Sequence, residues 1–260
     1  MKELFDKIKL FVLDMDGTFY LGEKRIDGAL EFIHRVRETG REFVFFTNNS
    51  SKNGAMYIDK LRRMGYAATA KDIMTSGDVT ARYLKMYYPD KKVYLAGTPA
   101  LEELFRTEGI CLVQEQPDVV VIGFDMTLTY EKLERACTFI RQGAVFLATH
   151  KDINCPTESG FIPDCGAMCA AISLSTGVQP KYLGKPCKET VDMVLQKTGY
   201  AKSEIAFVGD RLYTDVATGV DNGATGILVL SGETRAEDIE KSEVKPDAVF
   251  GSLKDMIEYL

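Results

Sequence analysis

Short apolar runs alternate with stretches of helical periodicity along most of the chain. An uninterrupted apolar run rich in β-branched and aromatic residues is typical of a strand that is buried on both faces of a parallel sheet. The pattern predicts strands at residues 10–13, 43–46, 73–76, 93–96, 119–122, 144–149, 205–208 and 225–230. It predicts helices at residues 29–39, 54–64, 101–107, 130–141 and 188–197. This alternation indicates βαβ units and an α/β fold with a largely parallel sheet.

The middle of the chain forms a second alternating series. We expect the α/β core to comprise residues 1–88 and 180–260, and a smaller α/β domain to comprise residues 89–179. A chain of 260 residues is long enough for either one large unit or two smaller ones. The predicted architecture is therefore a core with a second domain inserted into it.

Polar residues follow several of the predicted strands at the point where each strand ends. Asp14 and Asp16 follow the first strand, Thr47 and Asn48 follow the second, and Asp210 follows a later one. Lys185 lies in a Gly-Lys-Pro turn and Asp215 lies five residues after Asp210. Because ligands bind beyond the carboxyl ends of the strands in open α/β sheets, these residues are candidates for one site. Each has an ordinary alternative as a turn, helix cap or solvated lysine.

The chemistry of these residues suits a phosphate group and a cation. Carboxylates such as Asp14 and Asp210 are the hard oxygen ligands that Mg²⁺ prefers. Thr47 and Asn48 can donate hydrogen bonds to phosphate oxygens, and Lys185 supplies a positive charge. The sequence therefore predicts a Mg²⁺-assisted phosphate site.

Composition and charge narrow the class of partner. A net charge of −6 and a pI near 5.2 argue against broad binding to nucleic acid or an anionic membrane. No apolar run approaches the roughly 20 residues that a membrane helix needs, and residues 1–9 have no uninterrupted hydrophobic stretch. We expect a cytoplasmic protein with a small-molecule partner, and the oligomeric state stays open, a homodimer included.

Six cysteines lie between residues 111 and 187, with no Cys-x-x-C pair. Reduced thiols are favoured over disulfides in such a pattern. Cys165 and Cys169 share a helical spacing and could form a metal cluster with His150, but cysteines among alanine, methionine and isoleucine usually behave as small buried hydrophobes.

The motifs together resemble the haloacid dehalogenase superfamily of phosphatases. The matching features are D-x-D-G-T at residues 14–18, the strand-ending Thr47, Lys185 in G-K-P, and G-D-x-x-x-T-D at residues 209–215. The resemblance implies a Rossmann-like three-layer core. Family members that cleave carbon–halogen bonds lack an acid at the position of Asp16, so this acid favours hydrolysis of phosphate esters.

The resemblance also implies a role for each residue. Asp14 would attack phosphorus to form an aspartyl-phosphate, and Asp16 would protonate the leaving oxygen and then activate water. Mg²⁺ would be held by Asp14, the backbone carbonyl of Asp16, and Asp210. Thr47 and Lys185 would bind the phosphoryl group, with Lys185 also catalytic, and Asp215 would hold Lys185 or a metal-bound water.

The inserted domain resembles the cap of the NagD-like branch of subfamily IIA, of the type called C2. Its signature is G-x-x-P-x-C-G-A-x-C-A at residues 160–170. A cap could close over a site and exclude water. NagD-like caps commonly carry Thr-Asn-x-Asp where this chain has Thr149-His150-Lys151-Asp152. His150 and Asp152 are candidate substrate contacts, and a surface turn is the alternative for His150.

These observations predict a Mg²⁺-dependent phosphomonoester hydrolase acting on a small soluble ester. The branch includes ribonucleotide monophosphatases and nitrophenylphosphatases, so a nucleoside monophosphate is the leading substrate and a sugar phosphate is next. A phosphotransferase or a phosphate-binding regulatory protein on the same core remains an alternative.

Overall fold

The computed structural model describes residues 1–157 and 160–260. The chain forms two compact units. The first comprises Met1–Thr47, Gly54–Met74 and Lys185–Leu260, and the second comprises Asn48–Asn53 and Thr75–Gly184. The helix at residues 76–87 groups with the second unit, whereas we expected the core to extend through residue 88.

The strands of the described residues are numbered in chain order. They are β1 (Leu10–Leu13), β2 (Tyr20–Leu21), β3 (Lys24–Arg25), β4 (Glu42–Thr47), β5 (Ile73–Thr75), β6 (Val93–Ala96), β7 (Val119–Ile122), β8 (Val145–Ala148), β9 (Asn154–Thr157), β10 (Gly160–Pro163), β11 (Lys181–Tyr182), β12 (Ile205–Gly209), β13 (Thr225–Val229) and β14 (Ala248–Phe250).

The α-helices are numbered in the same way. They are α1 (Lys2–Phe5), α2 (Ala29–Glu38), α3 (Gly54–Arg63), α4 (Ser76–Tyr87), α5 (Pro99–Thr107), α6 (Tyr130–Arg141), α7 (Cys165–Thr176), α8 (Lys188–Thr198), α9 (Ala217–Val220), α10 (Ala236–Lys241) and α11 (Leu253–Met256). Tighter or wider helical turns occupy Ala70–Asp72, Lys202–Glu204, Leu212–Val216 and Ile257–Tyr259.

The first unit is built on a six-stranded sheet with the order β14-β13-β12-β1-β4-β5. Strand β1 pairs in parallel with both β12 and β4, and β12, β13 and β14 pair in parallel in turn. From β1 the chain first adds β4 and β5 on one side, and later adds β12, β13 and β14 on the other side. The reversal between β1 and β12 is a topological switch point, where open α/β sheets bind ligands. The predicted α/β class with a parallel sheet is confirmed.

The central strands are buried on both faces because their sequences are apolar throughout. All four residues of β1 and all five of β12 are buried. The core beside them is rich in phenylalanine, with Phe11, Phe32 and Phe45 fully buried. Fully burying one such side chain contributes about 1.5–3 kcal/mol, so this core holds the strand ends in fixed positions.

The second unit has its own four-stranded sheet with the order β11-β8-β7-β6 and parallel pairings throughout. Its core includes Val120, Phe124, Phe146 and Ile172. A separate antiparallel pair, β9 and β10, precedes α7. Among the residues described, no helix is long and apolar enough to cross a membrane.

Candidate active site

Lys185 lies between two carboxylates at the carboxyl ends of β1 and β12. Its Nζ donates to Asp14 Oδ1 and to Asp215 Oδ1, each at 2.6 Å, and to the carbonyl oxygen of Phe46 at 3.3 Å. The lysine side chain is 4% exposed and that of Asp14 is 14% exposed. The lysine is therefore held rigidly, while part of the Asp14 carboxylate faces solvent.

Asp215 reaches Lys185 because the chain after β12 makes a wide turn. Residues Leu212–Val216 form one turn of π-helix, a rare geometry that occurs often at functional sites. Gly209 permits the approach, since a Cβ at that position would lie 2.3 Å from the Cβ of Asp215. The second carboxylate oxygen of Asp215 accepts from the backbone N–H of Arg211 at 3.1 Å.

Asp210 completes a cluster of three carboxylates. Oxygens of Asp14, Asp210 and Asp215 lie within 4.8 Å of one another. Asp210 is 3% exposed, and its Oδ2 accepts from the backbone N–H of Glu233 at 2.7 Å. Its Oδ1 is buried and has no hydrogen-bond partner in the described part of the chain. A buried carboxylate oxygen without a partner is costly, and a cation would satisfy it.

Acid–base properties reflect this crowding of negative charge. Burial raises the pKa of Asp14 to about 8, even though Lys185 opposes the shift. Burial and the neighbouring Asp215 raise the pKa of Asp210 to about 7. Burial alone would lower the pKa of Lys185, but Asp14 and Asp215 outweigh it and raise that pKa. Three carboxylates thus share one ammonium group, and the excess negative charge fits a divalent cation.

Asp16 lies two residues after Asp14 on a tight turn. Gly17 adopts a left-handed φ of 86°, and its N–H donates to the carbonyl oxygen of Tyr20 at 2.7 Å. Asp16 is exposed, and desolvation raises its pKa despite the opposing charge of Lys60. The turn therefore separates the two acids, one largely buried beside lysine and the other open to solvent.

Thr47 and Asn48 are neighbours in the chain that belong to different units. Thr47 is the last residue of β4 in the first unit. Asn48 groups with the second unit, where its side-chain amide donates to Asp152 Oδ2 at 3.0 Å. The first unit thus brings together Asp14, Lys185, Asp210 and Asp215, whereas the side chain of Asn48 is engaged elsewhere.

His150 lies in the interior of the second unit. Its side chain is fully buried, with Nε2 2.8 Å from Asp164 Oδ1 and Nδ1 3.0 Å from Thr149 Oγ1. The surface-turn alternative for His150 is wrong, because Asp164 at the start of α7 and Thr149 at the end of β8 enclose the ring. Asp152 is half-buried, and His150, Asp152 and Asp164 form a second cluster of potential ligand atoms.

The cysteines carry no disulfide. All six are free, and Cys165 and Cys169 are fully buried on α7. The Cys165 thiol donates to the carbonyl oxygen of Ile122 at 3.3 Å. Cys165 and Cys169 pack as part of the core of the second unit.

The loop at residues 231–234, which follows β13, also contacts the site and was not predicted from the sequence. Ser231 Oγ donates to the carbonyl oxygen of Gly17 at 2.7 Å, and the N–H groups of Glu233 and Thr234 donate to Asp210. A Cβ at Gly232 would lie 2.0 Å from Asp210 Oδ2. The sequence signal for this loop was Gly232, which lies just after the predicted strand that became β13.

Comparisons with known proteins identify the family. Residues 11–111 match a family model described as haloacid dehalogenase-like hydrolase, and residues 182–256 match a HAD-hydrolase-like model. An acid sugar phosphatase from Staphylococcus aureus is 37% identical, covering 97% of this chain and 98% of the relative. The 5'-nucleotidase YutF from Bacillus subtilis is 34% identical with the same coverage of both chains.

Solved structures give the same result. A 4-nitrophenylphosphatase from Thermotoga maritima is 47% identical with a TM-score of 0.95, covering 98% of each chain. NagD from E. coli K-12 is 31% identical with a TM-score of 0.89, covering 95% of this chain and 98% of that one. The chain belongs to the haloacid dehalogenase-like hydrolases, in their NagD-like branch. It is an enzyme of the phosphatase class.

Proposed function

We propose that the chain hydrolyses small phosphate monoesters through a phosphorylated Asp14, with Mg²⁺ as cofactor and a nucleoside monophosphate as substrate. The observation that carries the proposal is the placement of Lys185 Nζ 2.6 Å from both Asp14 and Asp215, beside the unshared Oδ1 of Asp210. One site then contains the nucleophile Asp14, the fixed positive charge of Lys185, and a carboxylate oxygen of Asp210 that is available to bind a cation.

Each residue acts according to its surroundings. The partly exposed carboxylate of Asp14 attacks phosphorus, and the ester oxygen departs with the proton of Asp16. Asp16 then takes a proton from the water that hydrolyses the phosphoaspartate. The Lys185 ammonium and the Thr47 hydroxyl offset the phosphoryl charge, while Asp215 keeps the lysine in place.

The metal would be held by the carboxylates of Asp14 and Asp210 and the backbone carbonyl of Asp16. When bound, Mg²⁺ supplies positive charge that neutralises the phosphoryl oxygens and the clustered carboxylates. Phosphate binding by Asn48 remains a prediction, as does the assignment of the second unit as a cap.

Substituting the nucleophile tests the mechanism. Asp14→Asn preserves the shape of the side chain and one oxygen that can accept from Lys185, but it removes the attacking carboxylate. We expect kcat for p-nitrophenyl phosphate with Mg²⁺ to fall by at least about a thousandfold, with the thermal unfolding transition retained. The control is Asp59→Asn, which alters an exposed ion pair with Arg62. Wild-type turnover in Asp14→Asn would refute the assigned nucleophile.

A sugar phosphate is the second candidate substrate. It is favoured because relatives from Staphylococcus are named acid sugar phosphatases, while the Bacillus relative is named a 5'-nucleotidase. Values of kcat/KM across nucleoside monophosphates and sugar phosphates, with Mg²⁺, separate the two. Transfer of phosphate to a second sugar instead of water would identify a phosphotransferase, and tight binding without hydrolysis would identify a regulatory protein.

A further inference from the structure

The loop at residues 231–234 contacts both acidic segments of the site in the first unit. Ser231 fixes the carbonyl of Gly17, next to Asp16, through a 2.7 Å hydrogen bond. The backbone N–H of Glu233 donates to Asp210 Oδ2 at 2.7 Å, and that of Thr234 donates to the Asp210 carbonyl at 3.2 Å. The loop therefore occupies one carboxylate oxygen of Asp210 and leaves the other, Oδ1, without a protein partner among the described residues.

The side chain of Glu233 ties this loop to the segment that follows Asp210. Its Oε2 lies 2.9 Å from Nε of Arg211, and its Oε1 accepts from the hydroxyl of Tyr213 at 2.8 Å. Arg211 is 20% exposed and Glu233 is 45% exposed at their side chains. Arg211 and Tyr213 thus hold the side chain of Glu233, and the main chain of Glu233 in turn holds Asp210.

We infer that Glu233 is a positioning residue for the cation site, acting with Arg211 and Tyr213 to orient Asp210. This inference rests on the proposed function, because it concerns the cation expected at Asp210. Glu233 contacts Arg211, Tyr213 and Asp210. It places its own N–H against Oδ2, and Oδ1 would then be the oxygen that holds the cation.

The physical basis is the cost of orienting a ligand. A carboxylate that can rotate loses conformational freedom when it binds a metal, and partners around the ligand remove this cost beforehand. Loss of such a partner commonly weakens metal binding 10–100-fold. Because the Arg211–Glu233 pair is partly exposed and therefore screened, we expect a smaller effect, about three- to tenfold.

The test compares Glu233→Gln and Tyr213→Phe with the wild type. Calorimetric titration of the metal-free proteins with Mg²⁺ measures binding without turnover, and assays with p-nitrophenyl phosphate give KM at saturating Mg²⁺. The matched control is Glu38→Gln, which alters an Arg–Glu ion pair on α2. We expect the Mg²⁺ dissociation constant to rise about three- to tenfold in both variants, with KM and the control unchanged.

The outcomes separate this inference from the proposed function. Wild-type Mg²⁺ affinity in both variants, or a rise in KM alone, overturns the role of Glu233 and leaves the phosphatase mechanism standing. Absence of Mg²⁺ binding in the wild type overturns the cation site itself. Weaker Mg²⁺ binding in Tyr213→Phe, which keeps the Glu233 charge, supports positioning rather than simple electrostatic attraction.

Discussion

At the scale of single residues, the site depends on how closely its carboxylates approach one another. Asp14, Asp210 and Asp215 share the charge of Lys185, and burial raises the pKa of Asp14 to about 8 because that one charge offsets it only in part. The motifs made these residues predictable from the sequence. The orientation of Asp210 was not predictable, because it is set by backbone N–H groups that no side chain identifies.

Gly17 provides the sharpest single-residue prediction. It has φ of 86°, and a Cβ there would lie 2.4 Å from Asp210 Oδ2. Gly17→Ala should displace Asp210 and lower kcat/KM more than about tenfold. The left-handed backbone of an alanine should also lower the free energy of unfolding by roughly 1–2 kcal/mol. Gly40 is the control, since its φ is 75° and a Cβ there meets nothing within 4 Å.

Assays of kcat/KM and of thermal unfolding on both variants check this prediction. Gly40→Ala should lose a similar amount of stability with unchanged kcat/KM. Equal kcat/KM in Gly17→Ala and the wild type would show that Asp210 tolerates the displacement.

At the scale of elements, buried strands were predicted far better than exposed segments. Strands β1, β6 and β7 coincide with the predicted ranges because each is an uninterrupted apolar run. Strands β9 and β10 were missed because they are mostly exposed and lack apolar alternation. The π-helical turn at Leu212–Val216 was also missed, because its geometry arises from tertiary packing rather than from local propensity.

His150, which follows β8 and contacts Asp164 at the start of α7, leads to a prediction about pH. Burial alone would lower the pKa of His150, but Cys165 and Asp164 outweigh it and raise the pKa to about 9, above the ordinary 6.5. The protonated ring therefore stabilises the folded state most below about pH 6.5. This contribution should be lost as the pH rises through 9.

Replacing the histidine tests this pH dependence. His150→Asn introduces the residue that is common in NagD-like caps, so we expect the variant to fold. Unfolding free energies measured from pH 5.5 to 9.5 should differ between wild type and variant most at low pH and converge toward pH 9. His34→Asn, on the exposed side of α2, is the control. A constant difference across this range would contradict the prediction.

At the scale of the whole molecule, the strand order explains why distant motifs meet. Strand β1 lies between β4 and β12, so Asp14 and Asp210 end adjacent strands at the switch point. The alternation of strands and helices made this class of sheet predictable. The grouping of α4 with the second unit was not predictable, because hydrophobic periodicity does not show which core a helix covers.

Metal binding should be visible in the stability of the whole protein. Without a cation the clustered carboxylates repel one another and destabilise the folded state. A ligand that binds only the folded state stabilises it by mass action, so Mg²⁺ at about 100 times its dissociation constant should add about 2.7 kcal/mol to the free energy of unfolding. Asp210→Asn should raise the melting temperature of the metal-free protein and abolish the rise caused by Mg²⁺. Scanning calorimetry with chelator and with Mg²⁺ measures both effects. A rise of wild-type size in Asp210→Asn would remove Asp210 as a ligand.

The central position of β1 also affects how the nascent chain matures. The second unit ends at Gly184, so all of it has been translated before β12 leaves the ribosome. Until then β1, apolar along its full length, has an unpaired edge on the side that β12 will later cover. Exposed apolar edges promote aggregation. The apolar edge of β1, the strand that leads into Asp14, therefore stays open until β12 has been translated, and a chaperone that shields such edges would bind this intermediate.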